Sequence, residues 1–173
     1  MLEWLARPEA EQRRLYPDQE GANLAAMHGR LEVLKWLARL DLEERRVYPN
    51  QDGANLAAEN GHMQVVRWLV ALMPAERRVY PDQSGANGAA MNGRLELLEW
   101  LAMLGAEEHR VYPDQNGANL AAENGHVRVL EWLATLKPEE RRVYPDQDVA
   151  NQVAITGHAG VREWLERREL MAN

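Results

Sequence analysis

One spacing constrains this chain more than any other feature. Its six tryptophans (Trp4, Trp36, Trp68, Trp100, Trp132 and Trp164) stand 32 residues apart. The five tyrosines Tyr16, Tyr48, Tyr80, Tyr112 and Tyr144 keep the same interval, as do Asn23, Asn55, Asn87, Asn119 and Asn151. A fixed period of roughly 20 to 50 residues is the signature of repeat architecture, in which no unit buries its apolar face alone. The chain therefore reads as a stack of like units, each resting on its neighbours.

The register divides the 173 residues into an N-terminal half-unit at 1–17, full units at 18–49, 50–81, 82–113 and 114–145, and a capping unit at 146–173. Terminal units are expected to differ because one face has no neighbour. Val149 accordingly replaces the glycine found at 21, 53, 85 and 117, and residues 163–169 are unusually charged.

Within a unit two short helices are predicted. Asp52, Ser84, Asn116 and Asp148 are good N-cap residues for the first; Asp18, Asp82, Asp114 and Asp146, each after a proline, serve equally well and open it earlier. It ends at Gly29, Gly61, Gly93, Gly125 and Gly157, where a positive φ suits glycine. The alanines (Ala22, Ala25, Ala26 and equivalents) form a thin face that allows close helix approach. The second helix carries a wide apolar arc, in the first unit Leu31, Val33, Leu34, Trp36, Leu37 and Leu40. Pro74 and Pro138 fall where this helix should stop. The polar connector that follows, such as Asp41 to Pro49, allows either a brief extended run at Val-Tyr-Pro or an added helical turn at Glu-Glu-Arg-Arg. If the units stack, each tryptophan should bury on the order of 150–250 Å² and anchor the core.

Composition narrows the function. Without cysteine there are no disulfides, thiolate metal ligands or cysteine nucleophiles. A formal charge of −7 argues against a general nucleic-acid binder. The apolar runs are far short of a membrane span, and Glu3 interrupts any secretory-type leader. A cytoplasmic protein is expected, in its own cell or a host's.

The string Gly53-Ala-Asn-Leu-Ala-Ala-Glu-Asn-Gly-His-Met-Gln-Val-Val-Arg-Trp-Leu69 resembles an ankyrin repeat. The likeness lies in Asp-x-x-Gly, then Ala-Ala-x-x-Gly-His, then a Val-x-x-Trp-Leu helix, and it recurs along the whole chain. Two features depart from that pattern: the first helix lacks Thr-Pro-Leu-His, and the period is 32 rather than about 33. The second-helix tryptophan is reminiscent of ankyrin arrays encoded by giant DNA viruses. The resemblance implies an all-α, ankyrin-like helix-pair solenoid that binds a partner protein through loop tips and the exposed side of its first helices, without catalysis or cofactor. The alternative is a structural or self-associating module, or a fragment of a longer array, that is monomeric or weakly oligomeric through its terminal units.

A finer pattern has period two. Units one and three share Met27/Met91 and Arg30/Arg94; units two and four share Glu59/Glu123, His62/His126 and the two prolines. A duplicated 64-residue block explains this.

Candidate site residues fall into three groups. The asparagine row, and with it Gln19, Gln51, Gln83, Gln115 and Gln147, reads first as a hydrogen-bond ladder between units and second as a recognition row. The arginine pairs Arg13/Arg14, Arg45/Arg46, Arg77/Arg78 and Arg141/Arg142, with His109/Arg110 in unit three, either grip an acidic partner or pair with neighbouring glutamates such as Glu43, Glu44, Glu76, Glu107, Glu108, Glu139 and Glu140. The third group varies where packing alone would keep units alike: Asp52, Ser84 and Asn116 near the start of helix one, and Glu59, Met91 and Glu123 at its end. Glu59/His62 and Glu123/His126 are too few to form a metal site, which needs three or four convergent ligands. No serine or threonine has the neighbours of a nucleophile.

Overall fold

The structure, a computed structural model, describes residues 16–105, 107–156 and 158–172. Trp4, Arg13, Arg14 and Gly157, with most of the N-terminal half-unit, lie outside the described residues. The described chain is all-helical, with no strand. Its α-helices are α1 (Gln19–Met27), α2 (Leu31–Leu37), α3 (Gln51–Glu59), α4 (Met63–Val70), α5 (Gln83–Met91), α6 (Leu95–Ala102), α7 (Gln115–Glu123), α8 (Val127–Thr135), α9 (Gln147–Thr156) and α10 (Ala159–Ala172). No helix among the described residues is long and apolar enough to cross a membrane.

The first helices begin before the Gly-Ala-Asn motif. Their N-caps are Asp18, Asn50, Asp82 and Asp114, in extended geometry, each accepting a first-turn N–H. Asp52, Ser84 and Asn116 are therefore inside the first turn rather than at the cap, which corrects one of the two sequence expectations. The reason is reach: an extended residue two positions earlier aims its carboxylate or amide oxygen at the same N–H groups, as Asp114 does toward Asn116 at 2.9 Å. At the other end the expected glycine stop is present. Gly61 has φ +76, and the N–H groups of Gly61 and His62 return to the carbonyls of Ala58 and Ala57 at 2.9 and 2.8 Å, which satisfies two orphan acceptors.

Both connector alternatives are realised in turn. A 3-10 turn at Glu43–Arg45, Ala75–Arg77, Glu107–His109 and Glu139–Arg141 is followed by extended backbone, as at Arg46 (φ −74, ψ 123), which feeds the next N-cap. The Met73–Pro74 and Lys137–Pro138 peptides are cis.

The packing runs along one line: α1 on α3, α3 on α5, α5 on α7 and α7 on α9, with each first helix also on its own second helix. Alanine makes this possible. Ala54, Ala57, Ala58, Ala86, Ala89, Ala90, Ala118, Ala121 and Ala122 are wholly buried. The second helices complete the core with Leu34, Leu37, Val66, Leu69, Leu98, Leu101, Leu130 and Leu133, also wholly buried.

The tryptophans do not anchor this core. Trp36, Trp68, Trp100 and Trp132 are half-buried and pack against its edge; of the described tryptophans only Trp164 is buried. Their rings sit one helical position from the leucine that enters the core, so each lies on the flank, where Trp68 stacks on Tyr48 (centroids 6.5 Å) and Trp100 lies under the Arg67 guanidinium (5.5 Å).

Leu98→Ala, which empties a fully buried position, is expected to cost about 2–5 kcal/mol, and Trp100→Ala only about 1–3 kcal/mol. Urea unfolding of the two variants checks the order; a larger loss for Trp100→Ala would restore the tryptophan to the centre of the core.

Candidate functional site

The polar rows predicted from spacing are joints between units. Asn87 Oδ1 accepts the backbone N–H of Asp114 (3.0 Å), and its Nδ2 donates to the Asp114 carboxylate (2.9 Å). Asn55 treats Asp82 the same way (3.0 and 2.9 Å), and so does Asn119 with Asp146 (2.9 and 2.6 Å). Asn23 accepts from the N–H of Asn50 (3.1 Å). One unit thus holds the N-cap of the next. The close approach explains a glycine: a Cβ on Gly117 would lie 2.4 Å from Asn87 Oδ1. The glutamine row adds a second rung, as Gln19, Gln51 and Gln83 donate to the carbonyls of Tyr48, Tyr80 and Tyr112 at 2.7, 2.8 and 2.8 Å, and Gln115 donates to that of Tyr144.

The arginine pairs also have positions inside the stack. The first member faces the tyrosine of the preceding unit: Arg45 lies over Tyr16, Arg77 over Tyr48 and Arg141 over Tyr112, at 5.1, 5.1 and 4.8 Å from the ring centroids. Each also donates to that tyrosine's hydroxyl, at 3.2, 2.8 and 2.7 Å. Arg77 and Arg141 add ion pairs to Glu43 (2.7 Å) and Glu107 (2.9 Å). Partial burial pulls the Arg141 pKa down, but Tyr112 and Glu107 outweigh it and hold the guanidinium above its ordinary value. The second member turns back on its own unit: the Nε atoms of Arg46, Arg78, Arg110 and Arg142 donate to the carbonyls of Leu40, Leu72, Leu104 and Leu136 at 2.8–3.1 Å. Among the described glutamates proposed as partners, Glu43, Glu107 and Glu139 form ion pairs.

Sequence reasoning missed the role of the tyrosine and the last member of its row. In unit three His109 stacks on Tyr80 (centroids 3.9 Å). Beyond unit four, Arg168 of α10 lies over Tyr144, 3.1 Å from its centroid. The 32-residue register puts Asn173 at the arginine's place; the charge run at 163–169 was the available signal. A cleft of about 480 Å³ opens beside Arg168, lined by Glu131, Thr135, Tyr144 and Trp164 among others.

The third candidate group lies on the open side of the row. The side chains of Asp52, Ser84, Asn116 and Glu123 are exposed, and those of Glu59 and Met91 half-buried. They do not converge on a pocket; they recur, one set per unit. Among the described residues no three His, Cys, Asp or Glu side chains gather to hold a metal ion. His62 and His126 instead lie against the preceding unit's Gly29 and Gly93, where an added Cβ would fall 2.6 Å from each Nδ1.

Compared with family models, with curated proteins and with solved structures, the chain matches none.

Two outcomes test the joints. Asn87→Ala orphans the Asp114 N–H and is expected to cost about 1–3 kcal/mol in urea unfolding. The Val149 N–H, and after it the Asn119 amide, hold the Asp146 carboxyl below the usual carboxylate range. A pKa depressed by folding stabilises the folded state above the unfolded pKa and loses that contribution as pH falls through the folded value. Asp146 should therefore titrate by NMR below its ordinary range, and Asp146→Asn should flatten the acid limb of the stability profile.

Proposed function

We propose that the chain is an ankyrin-like helix-pair solenoid that binds a partner protein without catalysis, through the exposed side of its first helices and their N-terminal turns. The observation that carries this is a division of labour. Residues that repeat from unit to unit (Asn, Gln, Tyr, Arg) are engaged in joints, whereas Asp52, Ser84, Asn116, Glu59, Met91 and Glu123, which vary, lie on the open side. Elongated stacks of this kind commonly recognise partners on such continuous surfaces. The reading moves the site away from Arg45, Arg46, Arg77, Arg78, Arg141 and Arg142, because reversing them would break joints before it tested recognition. We place the protein in the cytoplasm, with neither nucleic acid nor membrane as its ligand.

A photo-crosslinking residue at position 84 is expected to capture a discrete partner from the source extract, and the same residue at exposed Glu99 on α6 is not. Capture only at 99, or at neither, would overturn the reading.

A further inference from the structure

The first helices differ from the rest of the chain in charge. Nine of the 27 carboxylates, but none of the 20 lysines and arginines, fall within 18–27, 50–59, 82–91, 114–123 and 146–156. Asp18, Asp82, Asp114 and Asp146 are accounted for as helix caps. Glu20, Asp52 and Asp148 stand in first turns, where the helix dipole favours an acid. Folding offers no such reason for Glu59 and Glu123. They close α3 and α7, at the end where the dipole favours a cation, and none of the five first helices has a base in its last turn. The second helices α2 and α4 do have one there, Lys35 and Arg67.

Pairing separates the two sets further. Among the described residues the ion-paired carboxylates are Glu32, Glu43, Glu107, Glu139, Glu163 and Glu166, all outside the first helices. Apolar side chains complete the surface. Positions i, i+4 and i+7 share one helix face, and they read Glu20-Leu24-Met27, Asp52-Leu56-Glu59, Ser84-Gly88-Met91, Asn116-Leu120-Glu123 and Asp148-Gln152-Ile155. Leu24 is 46% exposed and Ile155 86%. The stripe thus combines exposed and half-buried leucine, methionine and isoleucine with carboxylates that form no ion pair among the described residues.

The geometry points to a basic, extended peptide segment as its occupant, laid across the helices with a lysine or arginine at about every third residue and apolar residues between. Packed helices lie about 8–10 Å apart, and extended or polyproline backbone rises about 3.1–3.4 Å per residue. Three residues therefore step from one helix to the next, so that cations fall opposite the stripe carboxylates of α1, α3, α7 and α9, α5 carrying none, while the residues between them meet the apolar side chains. This rests on the binding reading above and names the chemistry of its partner.

The probe is a labelled 15-residue peptide with arginine at every third position and leucine and proline between, titrated at low salt against the full chain. It is expected to bind, to weaken at least about tenfold when salt rises to half molar, and to lose binding when its arginines become glutamates. Asp52→Ser/Glu59→Met/Glu123→Met places residues that unit three already carries at those positions, so the fold is kept, as circular dichroism should verify. That variant should bind about tenfold more weakly or worse, whereas Glu96→Gln/Glu99→Gln/Glu131→Gln, of equal charge but off the stripe, should change binding less than about twofold. Equal losses in the two variants, or no binding of the peptide, would overturn the proposal. A neutral or acidic partner crosslinked at position 84 would overturn the basic-partner inference and leave the binding reading standing; no crosslink at 84 would overturn both.

Discussion

The structure depends on one side-chain contact, the amide of each helix-one asparagine on the N-cap of the following unit. A helix N-terminus leaves N–H groups that its own turns do not satisfy, and the residue before it must be held in extended geometry. Here the cap residue's backbone N–H and its carboxylate are both engaged by Asn55, Asn87 or Asn119 of the unit before. A helix start in one unit is thus specified by a side chain 27 residues earlier. Nearest-neighbour coupling of this kind adds to the continuous apolar core that runs from Ala22 to Trp164.

The joints alternate in chemistry, and the two-unit pattern of the sequence is the cause. Between units one and two, and again between three and four, an arginine bridges a tyrosine and a glutamate. Between two and three Ala75 replaces the glutamate and His109 the arginine, leaving a ring stack on Tyr80. The same joint gains elsewhere. Gly88 stands where units one, two and four have leucine, a Cβ there would meet Glu59 at 3.0 Å, and Asn92 donates to the Glu59 carbonyl (3.2 Å). This joint thus has closer helix contact at one end and a ring stack in place of the ion pair at the other.

Much of this was legible in the sequence because period and pattern report the backbone. The helix pairs, the glycine stops and the asparagine ladder follow from residues that stand in register. Side-chain direction was less legible. A tryptophan flanked by leucines has the same period as a core residue, and only the helix's rotation places Leu37, not Trp36, at the centre. Both Asp52 and Asn50 are good caps by composition, and the choice between them turns on which is extended. The arginine pairs looked like one row of one kind. The fold splits them, sending the first of each pair to the tyrosine of the preceding unit and the second back to a carbonyl of its own helix pair.

That split also explains why the open side of the first helices is free to differ. The connector arginines and tyrosines that repeat are bonded to another unit or to a carbonyl of their own unit, so a change there loosens a joint. Asp52, Ser84 and Asn116 contribute their backbone N–H groups to the caps, a contribution that is independent of the side chain. Glu59, Met91 and Glu123 end their helices, with Asn60, Asn92 and Asn124 closing the last turn onto Leu56, Gly88 and Leu120 carbonyls. A position whose structural duty is carried by its backbone or by its neighbour can change its side chain without altering the stack. Those are the positions from which a repeat array can build a surface of its own.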